Sequence, residues 1–167
     1  MERGLDRNQL QRLSELSFVK EAKDLFVTRS ARTGKSYIAT ALGYRACPKG
    51  LKVLYANTAR LMGQLKVAKA KGTILQELKK IERMDLLILD DFGIQPFDAE
   101  GRSNLMDIIE DIHRKNYTLI TSQVPIKEWY DIIGEKTIAD AVLDRIVHQA
   151  IRVELHGESL RKIQSKK

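Results

Sequence analysis

The chain has 167 residues, 43% of them hydrophobic, and a formal net charge of +7. That length suits one domain with a real core, and no run approaches the ~20 apolar residues of a membrane-spanning helix. The excess of Lys and Arg favours polyanionic partners, because neutralised phosphates release counterions, although many basic faces are only solvated. The opening stretch, Met1 to Arg7, has no apolar segment, so no signal peptide and a cytoplasmic location are expected. Cys47 is the one cysteine, so an internal disulfide is excluded, which fits a reducing compartment.

Asp6 to Val19 reads as helical. Residues 1–22 are expected to form an N-terminal helical extension, the remnant of a longer region, ahead of a domain over residues 23–167. From there apolar runs alternate with helical patterns, the rhythm of a parallel α/β sheet. Leu25-Phe26-Val27 is the first strand, followed by a helix from Lys35 to Arg45. Val53-Leu54-Tyr55 is the second strand. Thr58 is placed to cap the next helix, which runs towards Lys69, and a further helix covers Thr73 to Glu82. Leu86-Leu87-Ile88-Leu89 is a buried strand. Asp98 is placed to cap a long helix to Arg114, and Thr118-Leu119-Ile120 is the fourth strand. Helical patterns return over Ile126 to Tyr130, with Trp129 expected beneath a loop, and over Ile138 to Val147. Ile151 to Leu155 alternates like a fifth strand.

Between the first strand and its helix stands Arg32-Thr33-Gly34-Lys35-Ser36. A strand–loop–helix junction of this kind holds phosphate oxygens on backbone N–H groups and a helix N-terminus. The expected nucleotide loop is Ser30, Ala31, Arg32, Thr33, Gly34, Lys35, Ser36 and Tyr37. Lys35 would reach the β- and γ-phosphates of ATP, and the Ser36 hydroxyl would bind Mg2+. The match to the Walker A pattern is partial, because Arg29 occupies the first Gly position and Arg32 a position where a small residue helps the loop wrap. Without further support the tripeptide Gly34-Lys35-Ser36 is also compatible with a plain turn.

The strand Leu86 to Leu89 runs into Asp90-Asp91, the Walker B form. Acids at the carboxyl end of a buried strand sit where α/β sheets bind ligands. Asp90 would hold Mg2+ through water, and Asp91 would orient or deprotonate the attacking water. The bland alternative is a strand followed by a turn-forming Asp pair. Ile120-Thr121-Ser122-Gln123 ends the fourth strand, where a polar side chain can touch the γ-phosphate or the lytic water. Walker A on the first strand, Walker B on the third and this polar end between them in space predict five parallel strands in the order 5-1-4-3-2.

Four blocks then resemble the IstB family: Leu87-Ile88-Leu89-Asp90-Asp91-Phe92-Gly93, Thr121-Ser122-Gln123-Val124-Pro125 with Trp129, Leu143-Asp144-Arg145-Ile146-Val147-His148, and Gly157-Glu158-Ser159-Leu160-Arg161. The likeness runs from Asp6 through nearly the whole chain. It implies a P-loop NTPase with an AAA+ core, close in kind to the helicase loader DnaC. By this resemblance the protein is an ATPase that assembles on duplex DNA as a homo-oligomer and recruits and stimulates a transposase. The Ser122-Gln123 end would be sensor 1, a position that is more often Asn. Arg145 would be the arginine finger, reaching a neighbouring subunit's γ-phosphate, and Arg161 the sensor 2 arginine. Taken alone, Arg145 reads as a snorkelling helix residue and Arg161 as part of a solvated basic tail.

Three other functions compete: a DnaC-like helicase loader, a small-molecule P-loop kinase, and a DNA-binding module with an impaired nucleotide site. No arginine-rich lid of the kinase kind is present, while Arg29 lends weight to the impaired site. Lys66, Lys69, Lys71, Lys79 and Lys80 form either a solvated face or a DNA-facing stripe.

Overall fold

Strand β3, Leu86–Asp90, is buried at every position, as an unbroken apolar run should be when helices or loops cover both faces of a parallel sheet. The structure is a computed structural model that describes residues 25–28, 50–113, 117–147 and 150–154. In chain order these form β1 (Leu25–Thr28), β2 (Val53–Asn57), α1 (Thr58–Lys71), α2 (Ile74–Glu82), β3, α3 (Ala99–His113), β4 (Tyr117–Ser122), a 3-10 turn (Ile126–Glu128), α4 (Trp129–Ile133), α5 (Lys136–Val147) and β5 (Ile151–Glu154). The sheet order is β2-β3-β4-β1-β5, and every pairing is parallel. This is the 5-1-4-3-2 order expected from the motifs. The extension over residues 1–22, the helix after Lys35, and Cys47 lie outside the described residues.

From β2 to β3 to β4 the chain steps one strand at a time in a single direction, and from β4 to β5 it passes over β1 in the same direction. Right-handed crossovers therefore bring α1 and α2, α3, and α4 with α5 to one face. There α3 packs against both α1 and α5. Pleating splits β3: Leu87 and Leu89 join this core with Phe26 and Ile120, while Leu86 and Ile88 are buried on the other side. Leu61, Leu65, Leu105, Ile108, Ile109, Val142 and Ile146 close the core from the helices at helical spacing. Each such fully buried side chain contributes about 1.5–3 kcal/mol.

Trp129 packs beneath the turn after β3 and the loop after β4, as expected, and it is also part of the main core. It is fully buried, with ring centroids 5.3 Å from Phe26 and 4.7 Å from Phe92. Its indole N–H donates to the Val124 carbonyl at 2.9 Å, which makes burial of that polar atom tolerable.

The start of α1 differs from expectation by one residue. Asn57 is the cap, accepting the Arg60 N–H at 3.2 Å, whereas Thr58 is the first helical residue and its hydroxyl donates to the Asp90 carbonyl at 2.8 Å. Both types can cap. The tie is broken by β3, whose last carbonyl takes the threonine. Asp98 does cap α3, accepting the Gly101 N–H at 2.7 Å.

Candidate functional site

Register places the ends of the central strands side by side. Asn57 is opposite Asp90, Leu89 opposite Ile120, and Thr28 opposite Ser122. The carboxyl ends of β3, β4 and β1 therefore form one polar edge, and the chain leaves β1 at that edge just before Arg29. Ser30, Ala31, Arg32, Thr33, Gly34, Lys35, Ser36, Tyr37, Arg29 and Arg161 lie outside the described residues.

The two acids occupy different environments. Asp90 is 4% exposed, and its carboxylate accepts hydroxyl donors from Tyr55 and Thr121 on the flanking strands. A buried carboxylate is costly unless it is hydrogen-bonded, and these hydroxyls hold it at a fixed place. Asp91 adopts a φ of +55°, the only non-glycine in the left-handed region among the described residues. Its N–H donates to Thr121 Oγ1 at 3.1 Å. That conformation turns the chain sharply after β3, and Asp is among the residues that tolerate it. The turn ends with Phe92 in the core and Gly93 at φ +84°.

Beyond the turn, Asp91 opens onto a cavity of about 190 Å³ between α1 and α3. Thr58, Lys66 and Asn104 also line it, and the buried amide nitrogen of Asn104 has no hydrogen-bond partner. The pair thus divides into a buried, pinned acid and an acid that lines an open cavity. Oxygen donors of this type suit a hard cation such as Mg2+, and Asp90 with both oxygens already bonded suits contact through water.

The end of β4 divides similarly. Ser122 is fully buried. Its hydroxyl donates to the Phe92 carbonyl at 2.5 Å and accepts the Val124 N–H at 3.0 Å, so it shapes the turn. Gln123 follows at the edge, partly exposed. Arg145 stands on α5, away from this edge in sequence, with Nη1 2.8 Å from Glu110 Oε1 on α3.

Tyr55 and Glu110 carried no separate signal in the sequence, because both bond across elements distant in the chain. Thr58 and Thr121 were singled out, as a helix cap and within the polar end of β4, but not for their bonds to Asp90.

Of the five lysines considered for a DNA stripe, Lys66 pairs with Asp98 at 3.5 Å and with Glu100 at 4.0 Å. Lys69 also reaches Glu100 at 4.0 Å, and Lys80 reaches Glu77 at 3.2 Å. Lys71 and Lys79 make no ion pair among the described residues. Such exposed pairs are weak, so these lysines remain exchangeable onto phosphate.

Comparison with known proteins agrees with this geometry. The family model described as IstB-like ATP binding protein matches residues 1–167. A putative insertion sequence ATP-binding protein of Sinorhizobium fredii, y4pL, is 40% identical over 99% of this chain and 68% of its own length. The insertion sequence IS21 putative ATP-binding protein of Pseudomonas aeruginosa is 29% identical over 95% of this chain and 60% of its own. The chain thus spans between 60% and 68% of these two relatives. Crystal structures of the DnaC helicase loader and of DnaI superpose with TM-scores of 0.75 and 0.76 at 21% and 23% identity. They cover 91% of this chain each, and 92% and 87% of their own chains. At that identity they speak for the fold alone, a parallel five-stranded sheet flanked by helices. The chain belongs to the family of IstB-like ATP-binding proteins of insertion sequences.

Proposed function

We propose that this chain is an ATP-hydrolysing AAA+ domain that assembles on duplex DNA and assists a transposase in moving an insertion sequence. One observation carries the reading. The strand that ends in the acid pair puts one carboxylate in a buried hydroxyl clamp and the other at an open cavity, within a chain matched end to end by an ATP-binding family.

The roles proposed for the Ser30 to Tyr37 loop and for Arg161 rest on the sequence motifs, and those for Asp90 and Asp91 on their surroundings at the end of β3. The Ser30 to Tyr37 loop holds the triphosphate, with Lys35 on its β- and γ-phosphates. Ser36, and Asp90 through water, would hold Mg2+, which would supply charge neutralisation at the phosphates. Asp91 orients the attacking water, because it faces space that water can occupy. Gln123 is the polar contact to the γ-phosphate, and Ser122 keeps that corner in shape. Arg145 acts on the nucleotide of a neighbouring subunit, and Arg161 closes on the nucleotide of its own. Residues 23–167 form the ATPase domain and residues 1–22 its helical extension, in a cytoplasmic protein. No helix among the described residues is long and apolar enough to cross a membrane.

Helicase loading is the second reading, since DnaC and DnaI share the fold. The names of the sequence relatives come from insertion sequences, which favours transposition. The experiment measures ATP turnover with and without duplex DNA of two unrelated sequences over a range of salt. It is paired with co-sedimentation against the element's transposase and a replicative helicase. The reading expects turnover stimulated by both DNAs, binding that weakens steeply with salt, and retention of the transposase. Retention of the helicase alone favours the loader. Absence of ATP binding, traceable to Arg29 and Arg32, leaves a DNA-binding module.

A further inference from the structure

Arg145 does not extend freely from α5. Its Nη1 lies 2.8 Å from Glu110 Oε1 on α3, the shortest ion pair among the described residues. The pair sits at the rim, with side-chain exposures of 35% for Arg145 and 47% for Glu110. The contact engages one terminal nitrogen, and the guanidinium's other N–H groups have no partner among the described residues. The planar fork is rigid, so a contact at one corner narrows the directions open to the remaining donors. The two helices that carry the pair pack directly on one another, and Ile108, Ile109, Val142 and Ile146 are buried within a turn of the two charges. The helix positions that carry the two charges are therefore fixed relative to one another.

We infer that Glu110 is a positioning residue for Arg145: it holds the guanidinium from behind, so that its free donors face an anionic phosphate oxygen on a neighbouring subunit. This rests on the reading of Arg145 as a residue acting in trans. A long flexible side chain approaching a separate subunit loses rate through misorientation, and a second contact that removes this freedom raises the fraction of productive encounters. Glu110 touches neither nucleotide nor water. Its effect passes through Arg145 and falls on the neighbour's site, leaving nucleotide binding in its own subunit intact.

The test uses the full chain on duplex DNA with ATP and compares wild type, Arg145→Ala, Glu110→Gln, Glu110→Asp and the double variant Glu110→Gln with Arg145→Ala. Positioning predicts that Glu110→Gln lowers kcat about 10-fold or more while KM for ATP stays unchanged. Glu110→Asp should recover part of the loss, and the double variant should be no slower than Arg145→Ala alone. Mixing separates positioning from damage to the fold. Glu110→Gln subunits have an intact loop, and Lys35→Ala subunits have an intact Arg145–Glu110 pair. Turnover should therefore rise when the two are combined, as it should for Arg145→Ala with Lys35→Ala. Assembly is confirmed by sedimentation. If Arg145→Ala slows turnover but Glu110→Gln matches or exceeds wild type, the inference fails while the trans reading stands. If Arg145→Ala turns over like wild type, or neither mixture recovers, the trans reading fails and takes the inference with it.

Discussion

The hydroxyl of Thr121 donates to the buried carboxylate of Asp90, and the same oxygen accepts the N–H of Asp91 at 3.1 Å. One side chain on β4 thus ties together both acids at the end of β3. With Tyr55 holding Asp90 from the β2 side, the acid pair is fixed by its two flanking strands before any ligand arrives.

Thr121→Val tests this arrangement, since valine keeps the shape and removes the oxygen. Asp90 loses a donor and the Asp91 N–H loses its acceptor. The expected cost is about 1–3 kcal/mol in denaturant unfolding, with ATP turnover reduced as well. Stability within about 0.5 kcal/mol of wild type would show that the clamp contributes little.

Gly93→Ala probes the turn beyond the acids. Gly93 has φ +84°, and an added Cβ would lie 3.0 Å from Ile132 Cδ1. Backbone strain and contact act together, so the variant should lose about 1–3 kcal/mol. Trp129 is the single tryptophan and is fully buried, which makes its fluorescence a direct monitor of that unfolding. An unchanged midpoint would contradict the account of the turn.

Acid should loosen two helix starts. The Gly101 N–H holds the Asp98 carboxyl below its ordinary value of 3.8, and the N–H groups of Ile138 and Thr137 hold Glu135 below 4.5. Groups lowered on folding contribute stability that is fully present above those ordinary values. It is lost as pH falls through the lower folded values. A series of Tm against pH should therefore decline below about pH 4.5, and Asp98→Asn should flatten part of that decline. An acid limb identical in Asp98→Asn would remove Asp98 from the cause.

The sheet order was legible because motif order constrains a parallel sheet strongly. Two phosphate-type motifs and a polar strand end admit few right-handed arrangements. The acid pair was legible because a fully apolar strand running into adjacent carboxylates is a rare pattern. The division of labour within the polar corners was not. Thr121 and Ser122 are adjacent hydroxyl residues, and only the pairing of β3 with β4 directs one to the acids and the other to Phe92. Asn57 and Thr58 are both capping types, and the choice between them depends on the Asp90 carbonyl. Glu110 looked like any exposed helix acid, because its partner Arg145 belongs to another helix and no spacing rule links the two. Trp129 was legible as a residue beneath a loop, whereas its contact with Phe26 depends on where β1 sits in the sheet.

The most direct test of the central claim, that Lys35 binds ATP and Asp91 acts on water, compares nucleotide binding and turnover in wild type, Lys35→Ala and Asp91→Asn on duplex DNA. Binding is followed by titration with a labelled ATP analogue, and turnover by phosphate release. The account predicts that Lys35→Ala loses most binding, and that Asp91→Asn binds like wild type but turns over about 10²-fold or more slowly. Equal binding by wild type and Lys35→Ala, or unchanged turnover in Asp91→Asn, would contradict it.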